Sequence, residues 1–186
     1  MGVTIHYKGK LNATELTEPF LEEIQDIAQS LDWPYTVINR KKEDTTPVQG
    51  MFIQPHPKSE FLTFAVDEKG HLRNAFLLQH FEDKDKSTWF NHIKTQFAPV
   101  EIHIAIIKLL RYLKDKYLGN LEVYDEGLFW ETNDVQTLTK QINVLNDAMD
   151  QLEGILNSIP GESGDSAESI ADKIEKIIRD RMNKKR

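Results

Sequence analysis

The stretch Tyr124-Asp125-Glu126-Gly127-Leu128-Phe129-Trp130-Glu131 concentrates residue types that react or recognise. Asp125 and Glu126 are paired carboxylates, the kind of groups that exchange protons in acid–base chemistry. Phe129 and Trp130 are aromatic anchors, and anchors rimmed by charge mark binding surfaces. The same residues could instead form a turn whose rings cover the edge of a core. Tyr124, Asp125, Glu126, Phe129 and Trp130 form the candidate partner-binding set. Its acidic rim would steer a basic partner by attraction that weakens with salt.

Histidine offers two further possibilities. His56 stands between Pro55 and Pro57, which restrict the backbone. They could hold its imidazole as an acid or base, or leave it facing water in a tight turn. His80-Phe81-Glu82-Asp83, with His92 further on, is the densest mixture of histidine and carboxylate. The chain has no cysteine, so a metal would need such a mixture. No two histidines are spaced i, i+4, and loose mixtures seldom meet ligand geometry, so neither a metal nor another cofactor is expected. Phosphate-loop, dinucleotide, nucleophile-elbow, zinc-protease and EF-hand signatures are missing. Arg179, Arg181, Lys184, Lys185 and Arg186 make a basic tail, which could touch nucleic acid or acidic lipid, or complement its own helix dipole.

The charge balance narrows the partners. Thirty acidic residues face 23 basic ones, for a net charge of −7, which disfavours nucleic acid bound through phosphates. Met1 to Lys10 lacks the apolar stretch of a secretory signal, and Ile102 to Leu113 is too short and too charged to cross a bilayer. A soluble cytoplasmic protein with no membrane partner is expected. The absence of cysteine also excludes disulfides and a thiolate nucleophile.

Positioning these residues requires a scaffold. Val3 to Lys8 alternates with period two, as a half-buried strand does. Leu16, Phe20, Leu21, Ile24, Ile27, Ala28 and Leu31 recur at helical spacing, with Thr17 a cap before Pro19 and a stop at Trp33-Pro34. Four strands follow: Tyr35 to Arg40, Val48 to Gln54, Phe61 to Asp67 and Leu72 to Leu78. The connections are too short for crossover helices, so an antiparallel meander is expected, with Asp67-Glu68-Lys69-Gly70 its clearest hairpin turn. A short helix capped by Ser87 would contain Trp89, Phe90, Ile93 and Phe97. Pro99 to Leu118 is a helix apolar on two sides, Leu121 to Asp125 a last strand. Asn133 or Asp134 caps a long helix with the seam Val135, Leu138, Ile142, Leu145, Met149, Leu152 and Leu156.

The expected class is α+β, a mostly antiparallel sheet covered on one face by helices, with two C-terminal helices. The order β-α-β-β-β-β-α-β resembles a ferredoxin-like arrangement with an extra hairpin. Residues 1–159 form the α+β domain, including the long helix 134–158. Residues 160–165 form a flexible linker, and 166–186 an amphipathic helix with the basic tail. Alternation would place Thr4, His6, Lys8, Thr63, Arg73, Glu122 and Tyr124 on the open sheet face.

The function this supports is non-catalytic protein–protein contact or regulation, for example neutralising a basic toxin or nuclease, with weak homodimerisation through the seam compatible. The alternative is a small enzyme with a His/carboxylate site near His56, His80 or Asp125, in one form metal-dependent.

Overall fold

Period-two alternation in Thr4-Ile5-His6-Tyr7-Lys8 builds β1 (Thr4–Lys8), with Ile5 and Tyr7 buried and their neighbours half-exposed. The computed structural model describes residues 3–40, 47–79 and 85–157. The loop 41–46, the His80 to Asp83 stretch, the linker 160–165 and the last helix with its basic tail lie outside the described residues. The chain divides into two units, Met1–Ile142 and Asn143–Arg186.

The fold is α+β. After β1 come α1 (Thr17–Ser30), β2 (Tyr35–Arg40), β3 (Val48–Ile53), β4 (Leu62–Asp67), β5 (Asn91–Lys94), α2 (Val100–Lys116), β6 (Glu122–Asp125), α3 (Phe129–Thr132) and α4 (Val135–Asn157). The strands divide between two antiparallel three-stranded sheets, ordered β5-β1-β6 and β2-β3-β4, where one sheet had been expected. Among the described residues no helix is long and apolar enough to cross a bilayer.

Two expected elements take other forms. The strand Leu72 to Leu78 survives only at its start: Leu72 bridges Val66, and Arg73 N–H donates to the Ala65 carbonyl at 2.8 Å. Asn74 then ends the pairing. Its side chain accepts from Leu77 N–H at 3.1 Å and donates to the Phe90 carbonyl at 3.0 Å, and Leu77–Gln79 coils into a 3-10 turn. The short helix expected around Trp89 to Phe97 is a 3-10 helix, Lys86–Trp89, followed by β5. Asp85, rather than Ser87, caps it by accepting from Ser87 N–H. Ile93 is fully buried in β5, and its period-two neighbours, Asn91 in the strand and Thr95 just after it, are buried with it.

The outer edge of β4 faces the first sheet, and its backbone groups must find partners there. Asp67 N–H donates to the His71 carbonyl, and Ala65 accepts from Arg73. Residues 9–11 in turn bond to 70–72 through Leu11 N–H to Gly70 and Leu72 N–H to Gly9. Thr63, opposite the departing chain, has no strand beside it. The Tyr7 hydroxyl fills that gap, donating to the Thr63 carbonyl at 2.6 Å and accepting from Thr63 N–H at 3.1 Å. Burial pushes the Tyr7 phenol well above its ordinary range, against the smaller opposing effect of its bond to Thr63.

The turn Asp67 to His71 matches its expectation. Gly70 adopts φ 82°, a region that favours glycine, and the buried Asp67 carboxylate accepts from Lys69 and His71 N–H and from Arg73 at 3.2 Å. Arg73 and Thr63, placed outward by simple alternation, are buried instead, Arg73 stacked on Trp89 at 4.1 Å. Charge pairing and the aromatic face let the guanidinium be buried.

Helix α1 buries Phe20, Ile24 and Ala28, with the Phe20 ring edge-on to Phe64 and to Tyr117. Glu23 clasps α2 by accepting from Lys116 at 2.7 Å and from the hydroxyls of Tyr112 and Tyr117. Partial burial pushes the Glu23 carboxyl up, but Lys116 and the two tyrosines outweigh it and hold it at about 2. Helix α2 buries His103, Ile106, Ile107, Leu109, Leu110 and Leu113. Asp134 caps α4, accepting from Gln136 and Thr137 N–H; Leu138 and Ile142 of the seam are buried, Val135 and Met149 exposed.

Two substitutions test the packing. Tyr7→Phe strands the Thr63 N–H and C=O in the interior and should cost about 1–3 kcal/mol in urea unfolding. At Gly50 a Cβ would lie 1.9 Å from the Phe64 carbonyl oxygen. Gly50→Ala therefore has to move backbone and should cost about 2–3 kcal/mol by the same measurement.

Candidate interaction site on the first sheet

β1 is the centre strand of β5-β1-β6, and its register sets a cross-strand row. His6 lies opposite His92 on one side and Tyr124 on the other. The His6 ring centroid is 6.1 Å from that of His92 and 5.9 Å from that of Tyr124. Carboxylates flank the row, with Glu126 Oε1 3.9 Å from His6 Nε2 and Glu60 Oε2 3.9 Å from His92 Nε2. Glu126 is anchored by Thr4 N–H at 2.9 Å, and Glu60 by Lys94 N–H at 2.9 Å. Lys8 pairs with Glu122 at 2.9 Å and lies over the Phe90 ring at 5.2 Å, while Lys94 lies over Phe97 at 5.3 Å. Tyr124 is 63% exposed, and Phe90 and Phe97 are also exposed.

Asp125 follows Tyr124 by one residue and therefore points to the opposite face. It is opposite Ile5, fully buried, with its Oδ1 3.1 Å from His103 Nε2. Gly127 N–H at 2.7 Å and Trp130 N–H at 2.9 Å also donate to it. Burial pushes the Asp125 carboxyl up, but the His103 ring and the two amides outweigh it and hold it below the usual carboxylate range. Across the imidazole, Thr95 Oγ1 sits 2.7 Å from His103 Nδ1. Hydroxyl, imidazole and carboxylate thus stand in a line with the residue types of a hydrolase triad. All three are at most 1% exposed, so no substrate atom reaches them, and the line ties the chain after β5, helix α2 and the end of β6 together.

Phe129 is buried, and Trp130 is half-buried. Arg111 holds both: its guanidinium donates to the carbonyls of Phe129 at 3.0 Å and Trp130 at 2.8 Å, and to Asn133 Oδ1 at 2.8 Å. These carbonyls belong to the first two residues of the one-turn α3, which is too short to pair all of its carbonyls internally. Arg111 and Lys114 each lie 5.6 Å from the Trp130 ring centroid. The five candidate residues are thus split. Tyr124 and Glu126 reach the open sheet face, Asp125 and Phe129 lie beneath it, and Trp130 sits under the two cations from α2.

His56 Nδ1 accepts Lys58 N–H at 3.1 Å, which makes its ring part of its own turn. Among the described residues no three histidine, aspartate or glutamate side chains converge as metal ligands. Sequence reasoning missed His92, Thr95, His103 and Arg111 as partners of the site. The first was placed in a helix. The other three carry no local signal, because their partners are 8 to 22 residues away. No protein-family model, curated protein or solved structure matches this chain.

Replacing Asp125 tests the buried pair. Asp125→Ala leaves His103 buried opposite a void and two amides unmet, and should cost about 3 kcal/mol. Asp125 and Glu23 both have folded-state values below their unfolded ones. The stability they supply is complete above the unfolded values near about 4 and is lost as pH falls through the folded ones. Urea unfolding should therefore weaken between neutral pH and pH of about 3, and Asp125→Ala should lose less over that interval than the wild type.

Proposed function

We propose that this protein acts by binding a protein partner through the outer face of β5-β1-β6, with Tyr124 as its most exposed ring. The observation that carries the reading is the exposed row His92-His6-Tyr124 with Phe90 beside it. Flat aromatic rings bury large area at little cost in rotamer freedom, and a rim of charge fixes orientation. Glu60, Glu122 and Glu126, within a chain of net charge −7, suit a basic protein, such as a toxin or nuclease that the protein neutralises. In this reading Asp125 and Phe129 act from beneath by fixing the strand end that presents Tyr124. For the enzymatic alternative, the form near Asp125 draws little support, since the line Thr95-His103-Asp125 is sealed from solvent.

Tyr124→Ala and His92→Ala remove exposed rings and should leave urea unfolding unchanged within about 0.5 kcal/mol. Each should lower the affinity for the partner captured from host lysate by about tenfold or more. A partner held equally by wild type and both variants would remove this face from consideration. Stoichiometric metal in the purified full-length protein would instead favour the enzymatic alternative.

A further inference from the structure

The second sheet carries a different feature. β2 pairs only with β3, in the register Thr36–Phe52, Ile38–Gly50 and Arg40–Val48. Gln54 N–H donates to the Pro34 carbonyl at 2.8 Å, which fixes the even-numbered residues of β2 as those bonded to β3. The backbone N–H and C=O groups of Tyr35, Val37 and Asn39 therefore point away from the sheet. Among the described residues none of them has a backbone partner. Val37 is 62% exposed. The edge is neither capped by a bulge nor interrupted by proline, the usual ways of blocking strand addition.

Beside this edge runs a groove of about 360 Å³, walled by Glu18, Leu21, Glu22 and Gln25 of α1 and by Val37 and Asn39 of β2. Glu18 and Glu22 are exposed, and no cation among the described residues pairs with either. Glu23, on the adjacent face, is the glutamate that Lys116 engages.

We propose that the β2 edge accepts an extended, basic segment of a partner protein as a fourth strand. The three outward N–H and C=O pairs supply the ladder. Alternate side chains of the added strand would fall on the α1 side, where lysine or arginine stems cover Val37 and Leu21 and their charges meet Glu18 and Glu22. The intervening side chains would lie beside the half-buried Ile38 and are best apolar. A second copy of this chain fits less well. Pairing two β2 strands about a two-fold axis would place both α1 helices on one face and turn Glu18 and Glu22 of the two copies toward each other.

The probe is a blocked heptapeptide, Lys-Val-Lys-Val-Lys-Val-Lys, added to the full-length 15N-labelled protein. Amide signals of Tyr35, Val37 and Asn39 should shift and become protected from exchange, while Thr36 and Ile38 are protected already without it. Three changes should each weaken binding about tenfold or more: Val37→Pro, the pair Glu18→Lys with Glu22→Lys, and methylation of alternate peptide nitrogens. Methylation leaves the protein untouched, so it decides the question even where Val37→Pro does not fold. Replacing the peptide lysines with glutamates should abolish binding, and added salt should weaken it. The proposal falls if the three amides stay unperturbed at millimolar peptide, or if the methylated peptide binds equally. It also falls if sedimentation shows a dimer that Val37→Pro dissolves, since the occupant is then a second copy. None of these readouts involves Tyr124 or His92, so the outcome is independent of the first-sheet surface.

Discussion

A backbone edge inside a protein must be paired, and the outer edge of β4 is where this fold meets that constraint. Strand β4 is buried along its whole length, so water cannot serve the groups that face the first sheet. Residues 71–73 pair with its upper part, but the chain turns away at Asn74 and leaves Thr63 without a strand. One phenol, Tyr7, both donates to and accepts from Thr63. A hydroxyl can do both at once, which a single ammonium, guanidinium or carboxylate cannot. Because Tyr7 lies on β1's inner face, the same bond docks the first sheet against the second. It thereby sets which face of β1 looks outward, and so the position of His6.

The candidate site shows how alternation distributes roles among adjacent residues. Tyr124 and Asp125 are neighbours in sequence and lie on opposite faces of β6, one in solvent and one against His103. A buried carboxylate is costly unless every lone pair is met, and Asp125 meets its partners within the turn it stabilises. Arg111 completes the arrangement from α2 by donating to the carbonyls of Phe129 and Trp130 in α3. The open face is thus held by polar contacts below it, leaving its own rings available.

Much of the fold was legible from period and punctuation. β1, α1, β2, β3 and β4, α2 and β6 lie where apolar spacing puts them. The Gly70 turn was legible for a chemical reason, a residue tolerant of φ 82° after an aspartate whose side chain folds back on the turn. β5 was not legible. Asn91-His92-Ile93-Lys94 has one buried apolar residue, and its strand character comes from pairing with β1, nearly 90 residues earlier. The long-range partners of Asp125, Trp130 and Arg73 were hidden for the same reason. A period reports which side of an element is apolar, but not which distant charge a buried charge will meet.

The surplus of acid has a location that connects these points. Along one turn and a half of α1, Glu23 is engaged by Lys116, Tyr112 and Tyr117, whereas Glu18 and Glu22 line a groove and pair with no cation among the described residues. The engaged glutamate helps close the contact between α1 and α2, so changing it would disturb packing. Of the other two, Glu18 lies in the first turn of α1, and the like charges of Glu18 and Glu22 four residues apart mildly oppose the helix. That repulsion is tolerated beside the β2 edge, whose outward backbone groups have no backbone partner among the described residues. Edge and charge are separate liabilities in a monomer, one inviting unwanted pairing and the other resisting helix formation. Placed together they restrict what can pair there: an acidic or neutral strand meets repulsion or no gain, and only a basic strand satisfies the backbone and the carboxylates at once.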